Sequence, residues 1–195
     1  NIARKDFDFY VLALSWSPSY CSRSGNPDNL QCGSAAQHGF VVHGLWPQNE
    51  TGWPEFCSTQ TDRVPARVVE GMLDIIPSSG LVLHQWRKHG SCSGLTPSRY
   101  FALTRSAVEK IQIPAEYERP YTAQVTQPDY IESRFKASNP TLAGDMIHVI
   151  CTRSQIQEVR ICMDKDLNFR ACPNLEYRAC NAASIEMPPI GAPAN

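Results

Sequence analysis

The sequence predicts a disulfide-stabilised domain of the α+β class. Three observations carry this. Runs with strand character lie at both ends of the 195 residues, and helical patterns lie between them. Eight cysteines, an even number, are spread along the chain without a CxxC pair, which reads as a disulfide framework rather than a zinc ribbon or thioredoxin-like redox motif. No internal repeat or linker divides the chain, so residues 1–195 are expected to form a single domain, with 186–195, which hold three prolines, as an extended C-terminal tail.

Residues 7–16 are rich in aromatic and aliphatic side chains and are bounded by Pro18, which predicts a long central strand buried on both faces. Residues 17–38 hold Cys21, Cys32 and several turn formers and read as a surface loop, pinched by a Cys21–Cys32 bridge. Residues 39–47 predict a second strand that stops at Pro47, with His43 near its end beside Gly44. Residues 48–62 return to loop, with Trp53, Pro54 and Cys57. Asn49-Glu50-Thr51 fits the N-glycosylation acceptor pattern, whereas Asn139-Pro140-Thr141 is excluded by its proline.

Apolar residues at 64, 68, 69, 72, 73, 75 and 76 predict a helix over 63–76, ended by Pro77. A second helix covers 81–89, and Gly90 can terminate it. Thr96 and Pro97 supply a cap and a first helical position for a third, whose stripe of Tyr100, Leu103, Ala107, Val108 and Ile111 runs up to Pro114. A fourth, short helix fits 126–138. The chain then changes character. Short β-like runs at 145–152, 156–163 and 168–172 are separated by turn residues, and Asp164-Lys165-Asp166 looks like a hairpin connection that brings Cys162 near Cys172.

One stretch stands out for its chemistry: His84-Gln85-Trp86-Arg87-Lys88-His89-Gly90-Ser91-Cys92. At about 100° per residue, His84, Gln85, Lys88 and His89 share one helical face and Trp86 falls opposite, as a core anchor. A solvated polar face is the plain alternative, but two of the chain's five histidines flank a lysine here, and histidine suits proton transfer near neutral pH. His43 by itself would read as a core residue. The net charge of −1 excludes a global basic field, so a polyanion has to be met by local donors. No run is long enough to span a membrane. The polar first residues carry no signal peptide, and with the cysteine framework they suggest a mature secreted or periplasmic form.

Taken together, Phe40-Val41-Val42-His43-Gly44-Leu45-Trp46-Pro47 and the 84–92 stretch resemble the two active-site segments of the T2 family of secreted ribonucleases. The first matches fully. The second matches except at Gln85, where the family usually has glutamate. The resemblance implies an antiparallel sheet packed against helices, single-stranded RNA as substrate, no metal and no cofactor, and a monomer. Eight cysteines allow 105 pairings. The resemblance implies Cys57–Cys92, Cys151–Cys180 and Cys162–Cys172, and by elimination and proximity Cys21–Cys32 remains.

RNA carries its own nucleophile, the 2′-hydroxyl, so cleavage needs a base, an acid and positive groups around the phosphorane. The resemblance makes His89 the base, His43 the acid, Lys88 a stabiliser of the non-bridging oxygens and His84 a phosphate ligand. Gln85 can still donate and accept hydrogen bonds but holds no charge, which predicts activity less confined to acid pH. Trp46 is expected to stack on a base, and Gln48, Trp53 and Tyr20 to contact bases, which together predict low base specificity.

Other functions compete. A T2-like protein impaired by Gln85 would act by binding and would release no cyclic phosphate. A metal site on His43, His84 and His89 is disfavoured by the five-residue spacing of the last two and the lack of an acidic ligand. A small disulfide-rich inhibitor is disfavoured by the length of the apolar elements.

Overall fold

The computed structural model describes residues 6–24, 30–33, 37–58, 63–152 and 154–191. Its centre is β1 (Phe9–Trp16), buried at every residue but Ser15, as an unbroken apolar run requires. β1 pairs antiparallel with β2 (Phe40–Gln48) on one side and with β5 (Gln155–Met163) on the other. β4 (Ile147–Thr152) pairs antiparallel with β5, and two short strands, β3 (Gln124–Thr126) and β6 (Ile185–Met187), complete a six-stranded sheet. The contact between β5 and β6 is parallel, so the sheet is antiparallel in all but that pairing among the described residues.

Alternation sorts β1 onto two faces. Tyr10, Leu12, Leu14 and Trp16 join the main core beneath the helices. Phe9, Val11 and Ala13 face the other way, into a smaller cluster with Trp46, Cys162, Cys172 and Leu175. In the β1–β2 ladder Ala13 pairs with Gly44, but Leu14 pairs with Val42. His43 is therefore one residue too many on β2, a bulge that lets it point into the smaller face without displacing its neighbours.

The helices are α1 (Ser17–Ser24), α2 (Ala66–Glu70), α3 (Ser79–Lys88), α4 (Pro97–Glu109) and α5 (Pro128–Ser138). α1 corrects the expectation of a loop directly after β1. Pro18 sits in its first turn, where a missing N–H leaves no bond unmade. The helix expected over 63–76 is five residues long, followed by successive turns. Met72 and Ile76 in these turns still fill the core, and the Ile75 carbonyl accepts the Val42 N–H at 2.8 Å, which ties the segment to β2. The Thr96 hydroxyl caps α4 by accepting the Arg99 N–H at 3.4 Å, with Pro97 leading the helix.

After β5 the chain turns at Asp164, but the run at 168–172 is not a strand. Phe169 makes one bridge to Met163, Leu167 takes φ +64°, and the Cys172 N–H turns away to the Asp145 carbonyl at 3.1 Å. All four expected disulfides are present. Beyond β6 the extended chain docks: the Trp16 indole donates to the Pro188 carbonyl at 2.9 Å and Ile190 is buried. Residues 192–195 lie outside the described residues. Among the described residues no helix is long and apolar enough to cross a membrane.

Candidate active site

The smaller sheet face opens into a cleft between β2, α3 and β5. β2 supplies His43, Trp46 and Gln48; α3 and its C-cap supply His84, Gln85, Lys88 and His89; Val11, Trp53, Arg160, Leu175 and Arg178 complete the lining. The sequence-expected residues therefore meet in one place, with the exception of Tyr20. That side chain, 42% exposed on α1, lines a neighbouring pocket with Gln31 and Leu81 that reaches the cleft through His43.

α3 begins where the Ser78 hydroxyl accepts the Leu81 N–H at 3.2 Å, and it buries Val82 and Trp86 in the main core. His89 is its C-cap, and the chain continues into a tight turn at Gly90–Cys92. Gly90 does not end the helix through a left-handed conformation, as expected. It is required by packing, since a Cβ there would sit 2.5 Å from the Trp86 ring. The Cys57–Cys92 bridge and a 2.8 Å bond from the Phe56 N–H to the Lys88 carbonyl tie the 53–57 loop to this end of α3. The opposing strand is equally close: a Cβ on Gly44 would lie 2.0 Å from Gln85 Oε1.

Trp46 is the hub. Its indole N–H donates to Gln85 Oε1 at 2.8 Å. Its ring stacks on His89 at 5.1 Å and 25°, meets the edge of His43 at 5.2 Å, and carries the Arg160 guanidinium at 5.1 Å. With 9% exposure, little of this indole remains to stack on a base. Gln85, expected on the helical face shared with His84, Lys88 and His89, is 1% exposed and accepts the hydrogen bond of Trp46. Gln48 is buried along the cleft wall, and Trp53 is 41% exposed with Arg178 over its ring at 4.4 Å.

The histidines have different surroundings. His43 Nδ1 is bonded to Oε1 of the buried Glu158, whose Oε2 accepts from Arg160 at 2.9 Å. Burial pushes the Glu158 pKa up, but the bond to His43, the His43 charge and Arg160 outweigh it and hold the carboxyl below its usual range. Burial, aided by the positive potentials of Lys88, His43 and His84, pushes His89 down to about 3. Burial, then Lys88, Arg87 and His43, also lowers His84. Lys88 Nζ lies 3.6 Å from Glu55, and both side chains are substantially exposed, so a phosphate can compete for the ammonium.

Glu158 and Arg160 were missed by sequence reasoning, and so were Leu175 and Arg178. For the first two a signal existed. An acid and a base two residues apart within the expected strand 156–163 must share a sheet face, and if that face is covered they need partners. Nothing local marks Leu175 or Arg178.

A model of the Ribonuclease T2 family matches residues 7–172. The chain belongs to this family. A ribonuclease of Aeromonas hydrophila is 33% identical over 164 residues, covering 83% of the chain and 74% of that protein. A probable ribonuclease of Haemophilus influenzae is 32% identical over 183 residues, covering 87% of the chain but 62% of that longer protein. Among solved structures, the RNase-related protein from Calystegia sepium superposes with a TM-score of 0.75 at 23% identity, covering 96% of the chain and 100% of that protein, which is a likeness of fold. RNase NT, solved in complex with 5′-AMP, superposes with a TM-score of 0.69 at 25% identity, covering 94% and 99%.

Proposed function

We propose that the chain is an endoribonuclease that cleaves single-stranded RNA by transesterification, releasing a 2′,3′-cyclic phosphate and then, more slowly, a 3′-phosphate. The observation that carries this reading is the placement of His43 and His89 about one indole, lining one cleft in opposite settings. His43 is paired with a carboxylate, whereas His89 is desolvated and neutral at any ordinary pH.

In the first step the 2′-hydroxyl gives its proton to His89 and its oxygen bonds to phosphorus. The bond from phosphorus to the 5′-oxygen breaks, and that oxygen takes a proton from His43. Lys88 and His84 face the non-bridging oxygens, where charge accumulates. A bound phosphodiester also raises the basicity of His89, because its negative charge favours the imidazolium that forms. In the second step the roles reverse: His43 takes a proton from water as its oxygen bonds to phosphorus, the bond from phosphorus to the 2′-oxygen breaks, and His89 protonates that oxygen. Gln85 serves through Trp46. Its carbonyl supplies the acceptor that a glutamate would, without a charge. Trp53, Gln48 and, across the shared wall, Tyr20 contact the bases. Four disulfides suit an oxidising location, secreted or periplasmic.

Dinucleotide cleavage with product analysis tests this. His43→Ala and His89→Ala should each lose about 10²–10⁴-fold in kcat, the usual worth of a positioned acid or base. A near-normal rate in either variant refutes the mechanism, and a folded wild type that forms no cyclic phosphate would favour an RNA-binding role instead.

A further inference from the structure

The reaction just described gives no task to the buried carboxylate beside His43. We infer that Glu158, clamped by Arg160, is the positioning residue of the general acid: it holds the His43 ring so that Nε2 faces the departing 5′-oxygen. This rests on the roles proposed above for His43 and His89.

A carboxylate that is 1% exposed is costly unless its oxygens are satisfied. Here they are, but unevenly. Both the Nε and the Nη2 of Arg160 reach Oε2, each at 2.9 Å, rather than forking across the two oxygens as a self-sufficient ion pair would. Oε1 is thereby kept for His43. A carboxylate accepts only, so Nδ1 must carry the hydrogen and Nε2 is the nitrogen left to exchange a proton. The bulge makes the constraint necessary. His43 has no partner residue on β1, so the ladder does not fix it as it fixes Val42 and Gly44. Arg160 also lies against Trp46, which stacks on His89, so the clamp and the base are braced by the same ring. During cleavage the proton passes from Nε2 to the 5′-oxygen as the phosphorus–oxygen bond breaks, while the Nδ1 hydrogen stays on the ring, facing Glu158.

Glu158→Gln makes the test. Arg160 is a pure donor, so it keeps the amide oxygen and turns the amide nitrogen toward His43. The neutral ring must then accept at Nδ1 and carry its hydrogen on Nε2. Imidazole ¹⁵N spectra should show that change of tautomer. On a dinucleotide, kcat should fall about tenfold to a hundredfold with KM within about twofold, part of what a general acid contributes. On a nucleoside 3′-(4-nitrophenyl phosphate), whose leaving group departs without a proton, the loss should shrink to under about threefold. An unchanged tautomer overturns the inference whatever the rate. A changed tautomer with equal losses on both substrates upholds the positioning and overturns the assignment of His43 as the acid. Should Glu158→Gln not fold, Glu158→Leu with Arg160→Met removes both charges together. That pair must show the same contrast between substrates, and equal rates to wild type on both would overturn the inference.

Discussion

Adding one methyl group at Gly44 should disable the site from a position that touches no substrate. A Cβ there would stand 2.0 Å from Gln85 Oε1 and 2.4 Å from Trp46 Nε1, against ordinary contacts of 3.4–4 Å. One partner must move by more than about 1 Å, and the buried bond between those two atoms is what gives way. Gln85 is 1% exposed, so water cannot replace the lost donor. The unmade bond costs about 1–3 kcal/mol, and overpacking between β2 and α3 costs a further 1–3 kcal/mol or so. For a chain of this size that corresponds to a fall in Tm of roughly 5–20 °C. The catalytic loss should be larger still, because both histidines rest on the displaced indole and a misplacement of about 1 Å can cost 10²-fold. Gly80→Ala is the matched control. Its Cβ would meet nothing closer than Ser78 Oγ at 3.9 Å, near the start of α3, so it should stabilise by about 0.5–1 kcal/mol. Melting by circular dichroism with disulfides intact, and kcat on a dinucleotide, check both variants. If Gly44→Ala melts with the wild type and keeps its rate, the argument from close packing is wrong.

Gln85→Glu places a charge one helical turn before His89 and should raise the pH at which that histidine protonates, moving the acid limb of the kcat/KM profile upward; an unmoved limb would refute it. His89 is neutral in the folded state to about pH 3, while its unfolded value is near 6.5. Unfolding therefore binds a proton between those limits, and stability should fall as pH drops from about 6.5 toward 3, by at most about 1.4 kcal/mol per unit from this group. Denaturant titrations of His89→Gln should give a flatter dependence, and a slope equal to that of the wild type would count against the desolvated histidine. Trp53→Ala should raise KM for RNA by about 1–3 kcal/mol, the worth of one stacked base, with little change in kcat. A large loss in kcat with KM unchanged would place Trp53 in the chemistry instead.

Elements whose signal lies in their own residues were legible from sequence. β1 announced itself by composition, α4 by its cap and stripe, and the histidine segments by their resemblance to the two active-site segments of the T2 family. What escaped depends on partners distant in the chain. Trp46 reads as a free platform until Arg160 and His89 are seen against it. Gln85 lies on the correct helical face, but at that position the face is covered by β2 rather than by water. Gly90 looks like a helix stop because both uses of glycine leave the same letter. α2 ends after five residues although the apolar spacing runs on through a series of turns, and no residue in the local pattern marks that end.

The bulge at His43 has a consequence for how this chain can vary. It divides β2 into two halves of opposite phase. After it, the even positions Gly44, Trp46 and Gln48 face the cleft, and before it the even positions Phe40 and Val42 face the core. A substitution in this strand stays local. A deletion within 40–48 does not, because it either erases the slip that seats the histidine or sends the tryptophan to the wrong side. The length of β2 is thus locked by parity, a constraint that no single contact energy expresses.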